Sequence, residues 1–152
     1  LLQGGDECQT WEEHGFCLGD IERMKISEKV EYWLDIAEYD MKTARSLHKS
    51  ARYLYTVFLC QQATEKILKA NYLKRFSKEA PFSHNLVYLE SLMELGISDK
   101  QLELISELTA YYIEARYPSY KEKLTALIGK DKSSSILDRT EALFKWLKSK
   151  LK

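Results

Sequence analysis

The sequence predicts an all-α protein, a four- to five-helix up-and-down bundle, on three observations. Apolar residues recur at spacings of three and four through most of the chain after residue 24, which is the period of a helix face. Turn formers are scarce: two Pro and six Gly in 152 residues, with four of the glycines inside the first nineteen positions. A chain so poor in breakers has few places to build hairpins. Finally, the stretch 52–76 runs without a Gly or a Pro and is long enough for a central helix.

Composition narrows the class further. With 45% hydrophobic and 30% charged residues, the chain suits one globular domain. No apolar run approaches the roughly 20 residues needed to span a bilayer. The first residues lack the basic region and apolar core of a secretory signal. The expectation is a cytoplasmic protein without membrane contact. Formal charge balances at 23 Lys+Arg against 23 Asp+Glu, but unevenly. Residues 1–23 carry six acids and one base, leaving 17 acids and 22 bases on residues 24–152. That mild excess permits an anionic partner and falls far short of the dense patches of dedicated nucleic-acid binders.

The leader, residues 1–23, has no sustained period and is expected to be an appendage, disordered or not native, to the domain formed by residues 24–152. Its Cys8, His14 and Cys17 suggest zinc, but their spacing fits no common site and no fourth ligand is evident, so no metal is expected. The first helix should run from a Ser27 N-cap to about Lys49, with Val30, Leu34, Ala37, Met41 and Ala44 on one stripe. Asp40 stands at the edge of that stripe, between Ala37 and Ala44, where a carboxylate needs a cationic or hydrogen-bonding partner unless it faces solvent.

After a short link around residues 50–52 the central helix aligns Leu54, Phe58, Leu68 and Tyr72, and the positions completing that line are Gln61 and Glu65. A polar pair on a core-facing stripe must be hydrogen-bonded or functional. Cys60, mid-helix near Val57 and Thr64, suits a small core residue better than a nucleophile. Pro81 should end the helix, and Ser83 should cap a short third helix through Leu86, Leu89, Leu92 and Met93, closed by Gly96. His84, in its first turn, reads as a structural hydrogen-bonder more readily than as a base.

Ser98 and Gln101 form a capping box for the fourth helix, with the stripe Leu102, Ile105, Leu108, Tyr112 and Ala115. Pro118 stops or kinks it, which places Arg116 in its last turn, where a guanidinium interacts well with free carbonyls. Capping its own helix is therefore one role for Arg116. The crowd of Tyr111, Tyr112, Tyr117 and Tyr120 around it suits stacking on bases or packing a partner instead. A polar loop, roughly 121–135, then leads into a last amphipathic helix through Leu137, Leu143, Phe144, Leu147 and Leu151. No Gly-rich phosphate loop, zinc ligand set or Ser-His-Asp order appears, and no cofactor is expected.

The runs WLDIAEYDMKTA (33–44), FLCQQATEKILKA (58–70), the His84-Asn85-Leu86 turn and YYIEARYPSY (111–120), in that order, resemble a HEPN domain of the small, stand-alone prokaryotic kind. The resemblance covers nearly everything from Met24 onward. It implies a homodimeric helical bundle, commonly paired in a toxin–antitoxin-like way with a minimal nucleotidyltransferase, and a nucleotide-binding role. Asp40, Glu65, Lys66 and Lys69 match the family's recurrent polar positions, and Gln61 and Gln62 its paired glutamines.

Nuclease members are similar in having an Arg followed by four to six residues and then a His, and the two act together on an RNA backbone at the dimer interface. Here no His follows Arg116, which removes a general acid or base worth about 10²–10⁴-fold in rate. Arg116 is thus the sole catalytic candidate. Related toxins receive nucleotidyl groups on a tyrosine near this motif, a part that Tyr117 or Tyr120 could take. Two functions follow: a nucleotidyltransferase-binding, nucleotide-binding partner using Asp40, Gln61, Glu65, Lys66, Lys69, Arg116, Tyr117 and Tyr120, or a metal-independent endoribonuclease in which Arg116 holds phosphate with Asp40 or Glu65 and a distant His84 in support.

Overall fold

A computed structural model describes residues 24–152, which form six α-helices: α1 (Ile26–Lys49), α2 (Tyr53–Phe76), α3 (Leu86–Ser91), α4 (Asp99–Ala115), α5 (Pro118–Leu127) and α6 (Lys130–Ser149). No strand occurs among the described residues. The leader and its Cys8, His14 and Cys17 lie outside them.

The α1–α2 hairpin is the largest packing unit and turns over residues 50–52, with Ala51 in the left-handed region at φ 57°. α6 packs against both its helices. It is antiparallel to α1, because Arg45 pairs with Glu141 and Lys148 with Glu38. α4 closes α2 from another side.

Three boundaries differ from those read in the sequence. α1 starts ahead of Ser27: Lys25 takes the N-cap position, and its backbone N–H donates to Glu28 Oε2 at 3.3 Å. α2 ends at Phe76, as the stretch 52–76 predicts, but its stop is Ser77 and not Pro81: Ser77 adopts φ 54° and donates its N–H to Leu73 O. α3 is capped by Asn85, whose Oδ1 accepts from Tyr88 N–H at 3.1 Å, so His84 precedes the helix instead of opening it. Ser83 Oγ instead accepts from the Asn85 N–H at 3.1 Å, which braces the turn before the cap. The capping box of α4 forms as expected, at 3.2 and 2.8 Å between Ser98 and Gln101.

The expected polar loop at 121–135 is mostly helix. Pro118 ends α4 but also starts α5, since at the first helical position its missing N–H is not needed and its fixed φ is already helical. Leu124 and Ile128 anchor this otherwise exposed helix in the core. On α4 the inward residue is Leu104, while Leu102 faces solvent.

α2 is buried around most of its circumference, with Cys60, Ala63, Ile67, Ala70 and Leu73 wholly inaccessible. A helix enclosed in this way cannot keep its polar residues outside, so each must find a partner. Thr56 and Thr64 donate to Arg52 O and Cys60 O, and Asn71 donates to Ile67 O and across to Leu147 O. Burial pushes the Cys60 thiol up to about 12, in keeping with a core residue and not a nucleophile.

Candidate functional site

Gln61 and Glu65 lie where α2 meets the loop of residues 77–85. The left-handed Ser77 reverses the chain, and the loop comes back along α2 far enough for His84 to reach Glu65. Two bonds fix its return. Gln61 Nε2 donates to His84 O at 3.0 Å, and Leu86 N–H donates to Thr109 Oγ1 of α4 at 3.2 Å.

Glu65 is the hub. Its side chain is 7% exposed and accepts from Lys69 Nζ at 2.8 Å, Gln61 Nε2 at 3.1 Å and His84 Nδ1 at 3.0 Å. Burial by itself would raise its pKa, but the bonds from Lys69, His84 and Gln61 outweigh burial and hold the carboxyl below its ordinary range. An ionised carboxylate only accepts, so Nδ1 of His84 carries the proton and Nε2 is the ring nitrogen not used by Glu65. Gln61 is fully used as well: its amide nitrogen serves Glu65 and His84, and its oxygen accepts from Gln62 Nε2 at 2.7 Å.

The His84 ring continues the site toward α4. Its centroid lies 5.1 Å from that of the buried Tyr112 and 5.7 Å from that of Phe82, which is 94% exposed. Arg116, on the surface where α4 ends, places its guanidinium 5.5 Å from the centre of the same Tyr112 ring. Behind Tyr112 stacks Phe58 of α2, at 5.3 Å. At the other end the Lys69 ammonium lies 5.8 Å from the Trp33 ring and 5.9 Å from Phe82.

The residues singled out in the sequence therefore fall into three groups. Gln61, Glu65 and Lys69 share one network, which reaches Arg116 through His84 and Tyr112. Tyr117 and Tyr120 form an edge-to-face pair with centroids 6.3 Å apart, and both are exposed, at 57% and 43%. Asp40 and Lys66 make their own ion pair across the α1–α2 seam, at 2.5 Å. Asp40 thus finds the cationic partner its position calls for, without joining the Glu65 network.

Sequence reasoning underrated His84, Phe82 and Tyr112. His84 counted as distant from Arg116 because 32 positions separate them, yet both lie against one ring. Tyr112 belongs both to the α4 stripe and to the tyrosines around Arg116, but its contact with His84 has no signal in the sequence. The only local signal for Phe82 is a bulky aromatic in a Pro- and Ser-containing loop, outside every helical stripe. No group of His, Cys, Asp and Glu placed to hold a metal occurs among the described residues. An open groove of about 400 Å³ lies elsewhere, between α1 and α6, lined by Met41, Arg45 and Phe144. What the candidate site offers is a surface: a cation and aromatic faces held in place by a buried, charge-neutralised hub.

Comparison with known proteins agrees with this architecture. The family model described as HEPN domain matches residues 30–150. The crystal structure of TT1696 from Thermus thermophilus is similar, with a TM-score of 0.69 at 20% identity, covering 80% of this chain and 98% of that one. ST0689, described as an archaeal HEPN homologue, has a TM-score of 0.66 at 22% identity, covering 81% of this chain and 98% of that one. No curated protein matches. At such identities the two structures speak for the fold, and the match across residues 30–150 for the lineage: the chain belongs to the HEPN domain family.

Proposed function

We propose that this HEPN-domain chain is the binding half of a toxin–antitoxin-like pair: a homodimer that docks a minimal nucleotidyltransferase in the cytoplasm and takes a nucleotide on the face bearing Arg116, Tyr117 and Tyr120. The observation that carries this reading is the setting of Arg116. It is exposed, lies on the Tyr112 ring and has no carboxylate partner among the described ion pairs, whereas the nearby Glu65 is already neutralised. A permanently charged planar fork beside two exposed tyrosines suits a phosphate or a carboxylate brought by a ligand. No helix among the described residues is long and apolar enough to cross a membrane. Exposed Tyr39, Tyr55, Phe82, Tyr117 and Tyr120 supply apolar surface for a second copy or a partner.

One observation favours the second reading, a metal-independent endoribonuclease. His84 is the imidazole that the Arg116 motif lacks in sequence, and it lies against the same ring as Arg116, with Glu65 orienting it through Nδ1.

Incubating the purified protein with mixed RNA, with Arg116→Ala as the control for contaminating nucleases, separates the two. The partner reading expects no cleavage, together with a nucleotidyl mass adduct on Tyr117 or Tyr120 once a nucleotidyltransferase and ATP are added. It also expects a dimer in sedimentation at micromolar concentration. RNA cleavage that disappears in Arg116→Ala would overturn it in favour of the nuclease.

A further inference from the structure

Arg52 and Lys121 stand where local electrostatics disfavours a cation. Arg52 is the N-cap residue of α2, and Lys121 is the fourth residue of α5. The start of a helix carries partial positive charge, which favours a carboxylate and repels an ammonium or guanidinium. Neither helix has an acidic residue in its first turn, and the Arg52 side chain makes no capping bond. Both side chains are exposed, and neither enters an ion pair among the described residues. The two cations share one open groove of about 310 Å³, between the start of α2 and α5. Leu54 and the buried Ile128 give it an apolar lining, Tyr53 and the exposed Tyr55 an aromatic one, and no Asp or Glu lines it. Tyr53 is held in place by the His48 ring, with centroids 5.4 Å apart.

We infer that this groove docks an acidic peptide segment of a protein partner, its carboxylates meeting Arg52 and Lys121 and an apolar side chain between them resting on Leu54 and Ile128. Charge complementarity carries the inference. Residues that break a local rule without compensation mark places where something outside the local structure satisfies them, and here only an anion relieves both cations. The shape selects among anions. Small-molecule sites bury most of their ligand, which an open groove of this size does not, whereas one anchoring side chain on an extended backbone needs no more cover. A nucleic-acid strand calls for a row of cations along its phosphates, and most of this lining is uncharged. The inference is independent of the Arg116 reading, since Arg116, Tyr117 and Tyr120 do not line the groove.

The test is fluorescence anisotropy of the full chain with a labelled peptide about ten residues long, in which acids flank a central Trp. Two control peptides carry amides for the acids, or Ser for the Trp. The acidic peptide is expected to bind, less tightly as salt rises, and each control to bind about 10-fold more weakly or worse. The double variant Arg52→Glu/Lys121→Glu should weaken binding by about 10-fold or more, while its Tm holds or rises because a carboxylate suits both helix starts. Arg116→Ala should leave the affinity unchanged. Failure of the acidic peptide to bind, equal binding of the amide peptide, or full affinity in the double variant would overturn the inference. So would a fall in Tm of that variant, because the two cations would then be stabilising where they are. Loss of binding in Arg116→Ala would move the peptide to the other face and overturn it too. Three results would give the groove to a different occupant and overturn the partner segment: an RNA oligonucleotide that binds more tightly and is lost in the double variant; a carboxyl-to-amine cross-link from Lys121 to residues 1–23 of the free chain; or a change from dimer to monomer in the double variant.

Discussion

Glu65→Gln isolates the charge at the centre of the site while leaving its shape almost unchanged. In the folded protein the Glu65 carboxylate takes charge-assisted bonds from Lys69 at 2.8 Å and from His84 at 3.0 Å, and a further bond from Gln61 at 3.1 Å. An amide has one acceptor oxygen for these three donors, and its NH2 turns a further donor toward one of them. The Lys69 ammonium, only 11% exposed, loses its counter-charge. Hydrogen bonds to charged groups contribute about 1.5–3 kcal/mol each, and part of that survives through the amide oxygen, so the expected net loss is about 1.5–3 kcal/mol. For a domain of this size that corresponds to a drop of roughly 5–10 °C in Tm.

The pH dependence carries the sharper test. The folded-state pKa of Glu65 lies below the ordinary 4.5, so its contribution is fully present above that value and is lost as the pH falls through the folded pKa. Urea denaturation of both proteins should therefore show a difference that is present near pH 5 and shrinks on further acidification. Glu107, also lowered because its bonds to Lys132 and Arg139 outweigh burial, acts equally in both proteins and cancels. A difference under about 0.5 kcal/mol at pH 7, or one that does not change with acid, would refute the view of Glu65 as an ionised hub.

Two further outcomes follow from the packing around that hub. Asp40→Asn should destabilise by about 1–2 kcal/mol, since its half-buried partner Lys66 keeps a weaker acceptor, and in a double-mutant cycle with Glu65→Gln the losses should add to within about 0.5 kcal/mol; a larger coupling would join Asp40 to the network. In a Cys8→Ser/Cys17→Ser background, Cys60 should resist iodoacetamide at pH 8 in the folded protein and react in urea, because its thiol is buried and pushed up to about 12; equal rates in both conditions would contradict its place in the core.

The sequence by itself determined the helical class, the α1–α2 hairpin with its link at residues 50–52, the α4 capping box and the family. Each of these is written in local signals: a repeat near 3.6, a Ser three residues before a Gln, or a motif order that survives without coordinates. It also marked Gln61 and Glu65 as polar residues on a buried line that had to be satisfied. It could not say by what. The choice of Lys69 is local, at one helical turn, but that of His84 depends on Ser77 reversing the chain where Pro81 was expected to end the helix. Asp40 shows the same limit, because its position called for a cation and only the seam between α1 and α2 selected Lys66. The additional helix α5 was missed because a polar sequence with a Pro at its head looks like a loop, until Leu124 and Ile128 are seen to bury two side chains. Only the tertiary structure brought His84 and Arg116 to one tyrosine, for contacts between residues far apart in sequence depend on how helices pack, and no periodicity encodes that.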